Sequence, residues 1–407
     1  MLETTYRKRL PTPMRHFCCA FWCSWWLLLF VASDPASADV REFETDLLIA
    51  GGTESGWAAA IQAARLGVPS ITIDHDGQWL GGQFMEQALA CVDENKGVGK
   101  VGWGVDWHPM KRSFHRSGLF KELMDRIEAF NTEKYGSPMP GRPFHGPSTF
   151  RPAEAEAIFR EMLQPYLDSG QVRFITNRYP VRADVEQKDR RPQLTGLWFA
   201  PLDDEPADLH VRARLTIDAS DWGEAIQVSG AAFECGPDSR TRQLSVYTVR
   251  RIVDGYTSKD GKTSILLNYM NGQDCPLERL PQHVVDGLEA TELGASEKNI
   301  VLMTRQQRQL VFDDAKRQSL SVLYHLQNFV HDRAPDETNS FRRFHLSDEF
   351  GTPDRLPPKS YIRQSLRLKA MYMMREQDGR NTDGTSKQMA RERFAQVMWL
   401  VDSSSEP

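Results

Sequence analysis

Residues 46–82 read DLLIAGGTESGWAAAIQAARLGVPSITIDHDGQWLGG, and their order of apolar, glycine-rich and acidic segments indicates the fold class. The apolar run 47–50 is typical of a central parallel strand that is buried on both faces. A glycine turn follows, and an alanine-rich segment predicts a helix from Trp57 to Leu66 that ends at Gly67. A second strand from Val68 to Ile73 completes a strand–helix–strand unit, which predicts an α/β fold with a parallel sheet.

The turn from Gly51 to Gly56 stands where a dinucleotide-binding domain carries the G-x-G-x-x-G motif. Gly51 allows the tight turn, and Gly56 lets the helix pack close to the strand. Thr53 takes the place of the middle glycine, where the backbone meets a pyrophosphate. Gly52 and Ser55 complete a loop whose amides and helix dipole are expected to face that group.

Asp74 ends the second strand, where a carboxylate can accept hydrogen bonds from ribose hydroxyls. It would repel a 2′-phosphate, so NADP is disfavoured, while NAD and FAD both stay possible. The pair Gly81-Gly82, followed by Gln83, favours FAD because it allows a second close backbone approach, along the diphosphate and ribityl chain.

A second motif lies at residues 215–223, which read LTIDASDWG. It predicts a strand that ends at Asp218. The small residues Ala219 and Ser220 would let the backbone approach the cofactor, and Asp221 is expected beside it.

Taken together, these motifs resemble those of a family of FAD-dependent oxidoreductases, many of them secreted bacterial proteins and some labelled xanthan-lyase-like. The shared features are GG-T-x-x-G, the acid that ends the second strand, W-L-G-G-Q at 79–83, a strand ending in Asp218-Ala219, and Y-I-R at 361–363. Ser220 stands where the family usually has Thr after that strand. The chain departs from the family pattern at Gln364 and Leu366, where the family usually has Glu and Arg.

The resemblance implies a Rossmann-like FAD/NAD(P)-binding domain, in three layers around a parallel sheet, with an inserted α+β substrate region. FAD would accept a hydride from a small-molecule or carbohydrate-type substrate, and the protein would bind and orient both. His108 and Arg363 are the catalytic candidates, for proton transfer and anion positioning respectively.

The predicted organisation divides the chain into six parts. They are a signal peptide (1–38), the first part of the FAD-binding domain (39–94), a loop-rich insertion (95–150), the second part of the FAD-binding domain (151–235), a substrate region (236–360), and a C-terminal helix with a flexible tail (361–407). Helices are predicted near 118–130, 153–167 and 304–332 and from Ser365 to Gln377. Strands are predicted at 172–176, 181–185, 195–200, 210–216 and 243–253.

Three other functions stay open at this point. A NAD-linked dehydrogenase fits Asp74 but not the second glycine pair. A truncated, non-catalytic nucleotide-binding remnant is favoured by Thr53, Gln364 and Leu366. It is also favoured because no late glycine-rich segment returns to the first domain. For a polysaccharide lyase, no acid/base residues can be placed.

The N-terminus has the three-part pattern of a Sec-type signal peptide. The basic residues Arg7, Lys8, Arg9 and Arg15 precede an apolar run at 17–32 and the small residues 36–38. The apolar run is shorter than the ~20 residues that a spanning helix needs. We therefore expect a secreted or periplasmic protein without a stable membrane span after cleavage, although a retained anchor is the alternative.

The composition limits the classes of partner that the protein is expected to bind. The net charge of −5, with no basic run beyond the N-terminus, argues against nucleic acid and leaves a small molecule as the expected partner. Beyond residue 38 the cysteines are Cys91, Cys235 and Cys275, without C-x-x-C spacing, so no metal site is predicted. The oligomeric state is left open.

Overall fold

The structure is a computed structural model, and its described part has gaps. It describes residues 40–75, 79–88, 91–92, 116–138, 148–203, 206–235, 246–249, 256–257, 263–267, 281–291, 300–330, 342, 344–362 and 365–371. Across these residues, no helix is both long and apolar enough to cross a membrane.

The strands of the described residues form one large and three small sheets. In chain order they are β1 (Arg41–Ala50), β2 (Ser70–Ile73), β3 (Cys91–Val92), β4 (Ser148–Thr149), β5 (Val172–Ile175), β6 (Arg178–Lys188), β7 (Arg191–Pro201), β8 (Leu209–Asp218), β9 (Phe233–Cys235), β10 (Val246–Val249), β11 (Tyr256–Thr257), β12 (Thr263–Leu267), β13 (His345–Leu346) and β14 (Leu366–Leu368). The large sheet has the order β5-β2-β1-β8-β7-β6. Its first four strands are parallel, and β7 and β6 are added antiparallel.

Helices pack on both faces of this sheet. In chain order the helices are α1 (Glu54–Arg65), α2 (Gly118–Tyr135), α3 (Pro152–Asp168), α4 (Glu224–Ser229), α5 (Gln282–Glu289) and α6 (Arg305–His325). Leu47 and Ile49 pack with α1, α2 and α3, whereas Leu48 and Ala50 lie in a second core on the opposite face. Burial on both faces explains the uninterrupted apolar run of β1, because neither face of this strand meets water.

A third core joins the later part of the chain to the edge of the sheet. Trp222 lies in this core with Val284 of α5, Val311 of α6 and Ile362. Helix α6 is therefore held over the loop that follows β8. This packing forms one wall of the cleft described below.

Several predicted helices and strands are present in the structure, some of them with different bounds. The strand–helix–strand unit, the helices near 118–130, 153–167 and 304–332, and the strands ending at Ile73 and Asp218 are confirmed in type. Helix α1 begins at Glu54 rather than Trp57, because Thr53 serves as its N-cap. The domain boundaries remain a prediction, although the large sheet takes strands from both 39–94 and 151–235.

The helix predicted from Ser365 to Gln377 is wrong in its first turn. Leu366–Leu368 form β14, which pairs antiparallel with β9. The alternation Leu-Arg-Leu suits a strand, and Leu366 packs against Gly223 and the third core. This contact also gives the departure from arginine at position 366 a structural role. Residues 372–377 lie outside the described part of the chain.

Candidate cofactor-binding site

The glycine turn joins the first and second motifs of the sequence. Gly51 has a φ of +117°, and a Cβ there would overlap the carbonyl of Ala219. A Cβ at Gly56 would likewise overlap the carbonyl oxygen of Gly51. The turn after β1 therefore tolerates no side chain at either glycine, as expected where two backbones and a ligand converge.

Thr53 replaces the middle glycine, and its side-chain hydroxyl stabilises the turn through hydrogen bonds. The hydroxyl donates to the carbonyl oxygen of Ala219 at 2.7 Å, and it accepts from the amide of Gly56 at 3.5 Å. Ser55 is exposed at the start of α1, with its hydroxyl 2.9 Å from that of Thr53. The first turn of α1 thus offers amides and a positive dipole end that suit an anion.

Asp74 closes the site on the side of β2. Its side chain is buried, and its Oδ1 accepts from the amide of Gly52 at 2.7 Å. A Cβ at Gly52 would lie 2.6 Å from the carboxyl carbon of Asp74. The carboxylate is therefore held against the glycine turn, where the family pattern expects a ribose acceptor.

The second glycine pair packs on the first. The amide of Gly81 donates to the carbonyl oxygen of Gly52 at 3.0 Å. Gly81 and Gly82 have φ values of +95° and +48°, and a Cβ at Gly82 would overlap Oε2 of Glu54. The following Gln83 donates through its side chain to the carbonyl of Ile362.

The motif after β8 completes the same edge. The amide of Ala219 donates to the carbonyl oxygen of Ala50 at 2.7 Å. The carboxylate of Asp218 accepts from Ser220 Oγ at 2.7 Å and from the amide of Ile226 at 2.9 Å. Burial raises the pKa of Asp218, and these hydrogen bonds oppose that rise. Asp218 thus stabilises the loop that follows β8 and the start of α4.

Asp221 belongs to a hydrogen-bonded network that the sequence did not reveal. Lys359 donates to Glu86 Oε1 at 2.9 Å and to Asp221 Oδ2 at 3.3 Å. Gln87 donates to Asp221 Oδ1 at 2.8 Å and accepts from the amide of Ile362 at 2.7 Å. The network therefore ties the segment after the second glycine pair to both the β8 loop and the Y-I-R segment.

A cleft of about 130 Å³ opens at the carboxyl ends of β1, β2 and β8. Its lining residues are Gly51, Thr53, Asp74, His75, Ser220, Asp221, Trp222, Glu224, Arg305, Arg308, Gln309, Phe312, Lys316, Pro358, Lys359, Ser360 and Ile362.

Helix α6 supplies a cationic wall to this cleft. Arg308 pairs with Glu224 at 3.2 Å and donates to the carbonyl oxygens of Ile300 and Val301 at 3.1 and 2.8 Å. Burial lowers the pKa of Arg308, and Glu224 opposes that shift. Arg305 lies 5.0 Å from the ring of Tyr179.

The predicted cofactor residues converge, whereas the catalytic candidates cannot be placed. Gly51, Thr53, Asp74, Ser220 and Asp221 line the cleft. The other predicted cofactor residues surround it: Gly52, Ser55, Gly56, Gly81, Gly82, Gln83, Asp218 and Ala219. His108 and Arg363 lie outside the described residues.

Sequence reasoning missed Glu54, Glu86, Arg305, Arg308 and Lys359. Glu54 was the one member of the set with a signal, because it occupies a variable position inside the glycine motif. The others come from segments without a motif of their own.

This geometry defines an α/β protein with a dinucleotide site at the carboxyl edge of a parallel sheet. The chain belongs to the FAD dependent oxidoreductase family, whose family model matches residues 46–404. The cofactor of this family is FAD. Family membership therefore selects FAD over NAD, a choice that the glycine turn alone left open.

The chain is similar to several solved structures at low identity. THI4 of Thermovibrio ammonificans is 16% identical, with 47% of this chain and 64% of that chain covered and a TM-score of 0.31. An FAD dependent oxidoreductase from Pseudomonas aeruginosa is 15% identical, with coverages of 57% and 69% and a TM-score of 0.33. A geranylgeranyl bacteriochlorophyll reductase-like protein from Thermoplasma acidophilum is 11% identical, with coverages of 63% and 64% and a TM-score of 0.33.

The matched part of the chain spans less than two thirds of the THI4 and reductase-like proteins. A search of curated proteins found no match.

The residues at the sheet edge fit the adenosine and diphosphate half of FAD. The three glycines of the turn leave no room for side chains between the backbones, and α1 begins at the same point. The buried carboxylate of Asp74 supplies a ribose acceptor at the end of β2. Lys359 and Arg308 line the same cleft, where Asp221 and Glu224 are their respective carboxylate partners.

Proposed function

We propose that this protein is an FAD-dependent oxidoreductase that removes a hydride from a small-molecule or carbohydrate-type substrate. The observation that carries the proposal is the convergence of three separated motifs on one edge of the sheet. The turn that begins at Gly51 is hydrogen-bonded on one side to Asp74, through Gly52, and on the other to Ala219, through Thr53. Family membership supplies the identity of the cofactor.

FAD and the protein residues around it have separate roles in this reaction. Bound FAD supplies a hydride acceptor, which is chemistry that side chains lack. Asp74 accepts from the ribose hydroxyls, and the amides at Ser55 and Gly56 bind the diphosphate. The backbone at Gly81 to Gln83 and the loop from Ala219 to Asp221 line the path toward the flavin. His108 as proton-transfer group and Arg363 as anion-positioning group stay predictions from sequence.

The visible spectrum of the purified protein tests the proposal. Flavin absorbance, present on purification or after reconstitution with FAD, is the expected result. Gly56→Ala should abolish it, because the added Cβ would overlap the Gly51 carbonyl. Gly287→Ala is the matched control, since its Cβ would meet only Leu310 at 3.4 Å and should leave FAD binding intact.

The competing hypothesis is a non-catalytic remnant that binds nucleotide weakly or not at all. A colourless wild-type protein that cannot be reconstituted with FAD would favour the remnant and overturn our proposal. If the protein binds FAD but no alcohol, amine or sugar reduces the flavin, the cofactor assignment would stand. The proposed hydride transfer from such substrates would then be wrong.

We also propose that the protein is exported and processed after Ala38. The basic segment, apolar run and small residues at 36–38 support this proposal. Mass spectrometry of the protein recovered from its native host should show Asp39 as the first residue. An intact N-terminus on a membrane-bound protein would favour a retained anchor.

A further inference from the structure

The first turn of α6 places an arginine at the cleft. Arg305 is the first residue of this helix, and a capping box formed by Thr304 and Gln307 fixes the turn. Gln307 is fully buried, and its side chain also donates to Thr291 Oγ1 at 2.8 Å. The backbone that carries Arg305 is therefore well anchored where its side chain lines the cleft.

Contacts connect this end of α6 with the end of β2. Arg308 pairs with Glu224 at 3.2 Å, and the other carboxylate oxygen of Glu224 lies 3.8 Å from His75 Nδ1. The ring centres of His75 and Tyr179 are 6.0 Å apart, and Cζ of Arg305 lies 5.0 Å from the centre of the Tyr179 ring. Two routes of contact therefore connect α6 with the residue that follows the acid at the end of β2.

The position of that acid indicates which part of FAD would lie near Arg305. Asp74 is proposed to accept from the ribose hydroxyls, and the start of α1 to bind the diphosphate. The adenine ring is bonded to the same ribose, so it must lie beside the end of β2. His75 and Arg305 both line the cleft at this place.

The surroundings of Arg305 favour a flat, neutral ring over an anion. Its guanidinium group already lies near an aromatic ring, that of Tyr179. A guanidinium group is planar and weakly hydrated, so it packs well on an aromatic face. The carboxylates of Asp74 and Glu224 line the same cleft and would repel a further phosphate there.

We infer that Arg305 is a cofactor-binding residue whose guanidinium group packs on the adenine ring of FAD. Helix α6, which belongs to the predicted substrate region, then also forms part of the adenosine site. This inference rests on the proposed function, because it requires FAD in the cleft. It makes Arg305 a determinant of affinity for the adenosine half of the cofactor, without contact with the flavin ring.

ADP is the probe for this contact, because it carries adenine, ribose and diphosphate without the flavin. The affinities of ADP and FAD are measured by calorimetry on the full chain stripped of cofactor. Arg305→Met should weaken both by the same factor, roughly 2- to 30-fold. Arg305→Lys keeps the charge but not the planar group, so it should recover little of the loss. The absorbance spectrum of bound FAD should stay as in wild type, because adenine and flavin are at opposite ends of the cofactor.

Arg317→Met is the matched control on the same helix. The side chain of Arg317 is 55% exposed and pairs with Asp314, and the described residues that line the cleft do not include it. This variant should bind ADP and FAD as wild type does. An equal loss in Arg317→Met would overturn the inference, because the packing of α6 and not an adenine contact would then account for it.

The remaining outcomes separate this inference from the proposed function. Wild-type affinity in Arg305→Met, full recovery in Arg305→Lys, or a loss of affinity for FAD but not for ADP would overturn the inference alone. A wild-type protein that binds FAD but not ADP would do the same. The lysine variant decides the question if the methionine variant does not fold. A wild-type protein that binds neither FAD nor ADP would overturn both.

Discussion

The hydroxyl of Thr53 donates to the carbonyl oxygen of Ala219 at 2.7 Å, across 166 residues of sequence. This bond joins the loop after β1 to the loop after β8, and the same hydroxyl caps the first turn of α1. The residue that departs from the glycine pattern is thus the residue that holds the two cofactor loops together.

Thr53→Val should destabilise the protein by about 1–3 kcal/mol, because it leaves the buried Ala219 carbonyl without its donor and removes the helix cap. Chemical denaturation of the cofactor-free protein measures the change. Thr53→Ser retains the hydroxyl and should recover most of the stability. A valine variant as stable as wild type would show that the bond contributes nothing to the fold.

Arg308 and Glu224 form a buried pair, with side chains 7% and 11% exposed. Arg308→Met should cost about 3–5 kcal/mol, because it leaves the Glu224 charge buried without its partner. Arg308→Met combined with Glu224→Gln should be less destabilised than Arg308→Met alone. The surface pair of Arg126 and Glu161 offers the control, since Arg126→Met should change stability by less than about 1 kcal/mol.

Lys359→Met should destabilise the protein more at pH 8 than at pH 5.5. Without the ammonium group, the buried carboxylates Glu86 and Asp221 lose the cation that binds them both, and protonation at low pH relieves part of their negative charge. Urea denaturation of wild type and variant at both pH values gives the comparison. An equal difference in unfolding free energy at the two pH values would show that this charge is neutralised in another way.

Local patterns were sufficient to predict the central part of the fold. The apolar run of β1, the turn at Gly51 and the acid at Asp74 follow one another in sequence, and each has a direct physical requirement in a parallel sheet. The strand at Leu366 was missed because its partner, β9, is distant in sequence, so that pairing and not local propensity determines its structure.

The polar network could not be predicted for a related reason. Lys359 is separated by 273 residues from Glu86 and by 138 from Asp221, and none of the three belongs to a spaced motif with the others. Only the folded chain brings them together. Thr53 shows the opposite case, because its position in the motif was evident, while the direction of its side chain required the structure.

Gly82 and Glu54 should show energetic coupling. Gly82→Ala places a Cβ against Oε2 of Glu54 at a φ of +48°, so it should be destabilising. Part of that loss should disappear in a Glu54→Ala background, with a coupling of about 0.5–3 kcal/mol from a double-mutant cycle. Strictly additive effects would mean that backbone strain at Gly82, and not the Glu54 contact, accounts for the loss.

The stability of the cofactor-free protein should depend on the ionisation of Glu54. The pKa of this group rises from 4.5 to about 7 on folding, so the folded state binds the proton more tightly than the unfolded state. Its contribution is therefore complete below about pH 4.5 and is lost as the pH rises to about 7, a loss of roughly 3 kcal/mol. Glu54→Gln has no proton to lose, so its unfolding free energy should fall less over this range and exceed that of wild type at pH 8 by more than at pH 5. Denaturant titrations at both pH values measure the difference, and a Gln variant that follows the wild-type pH profile would contradict the burial of an uncompensated carboxyl group at this position.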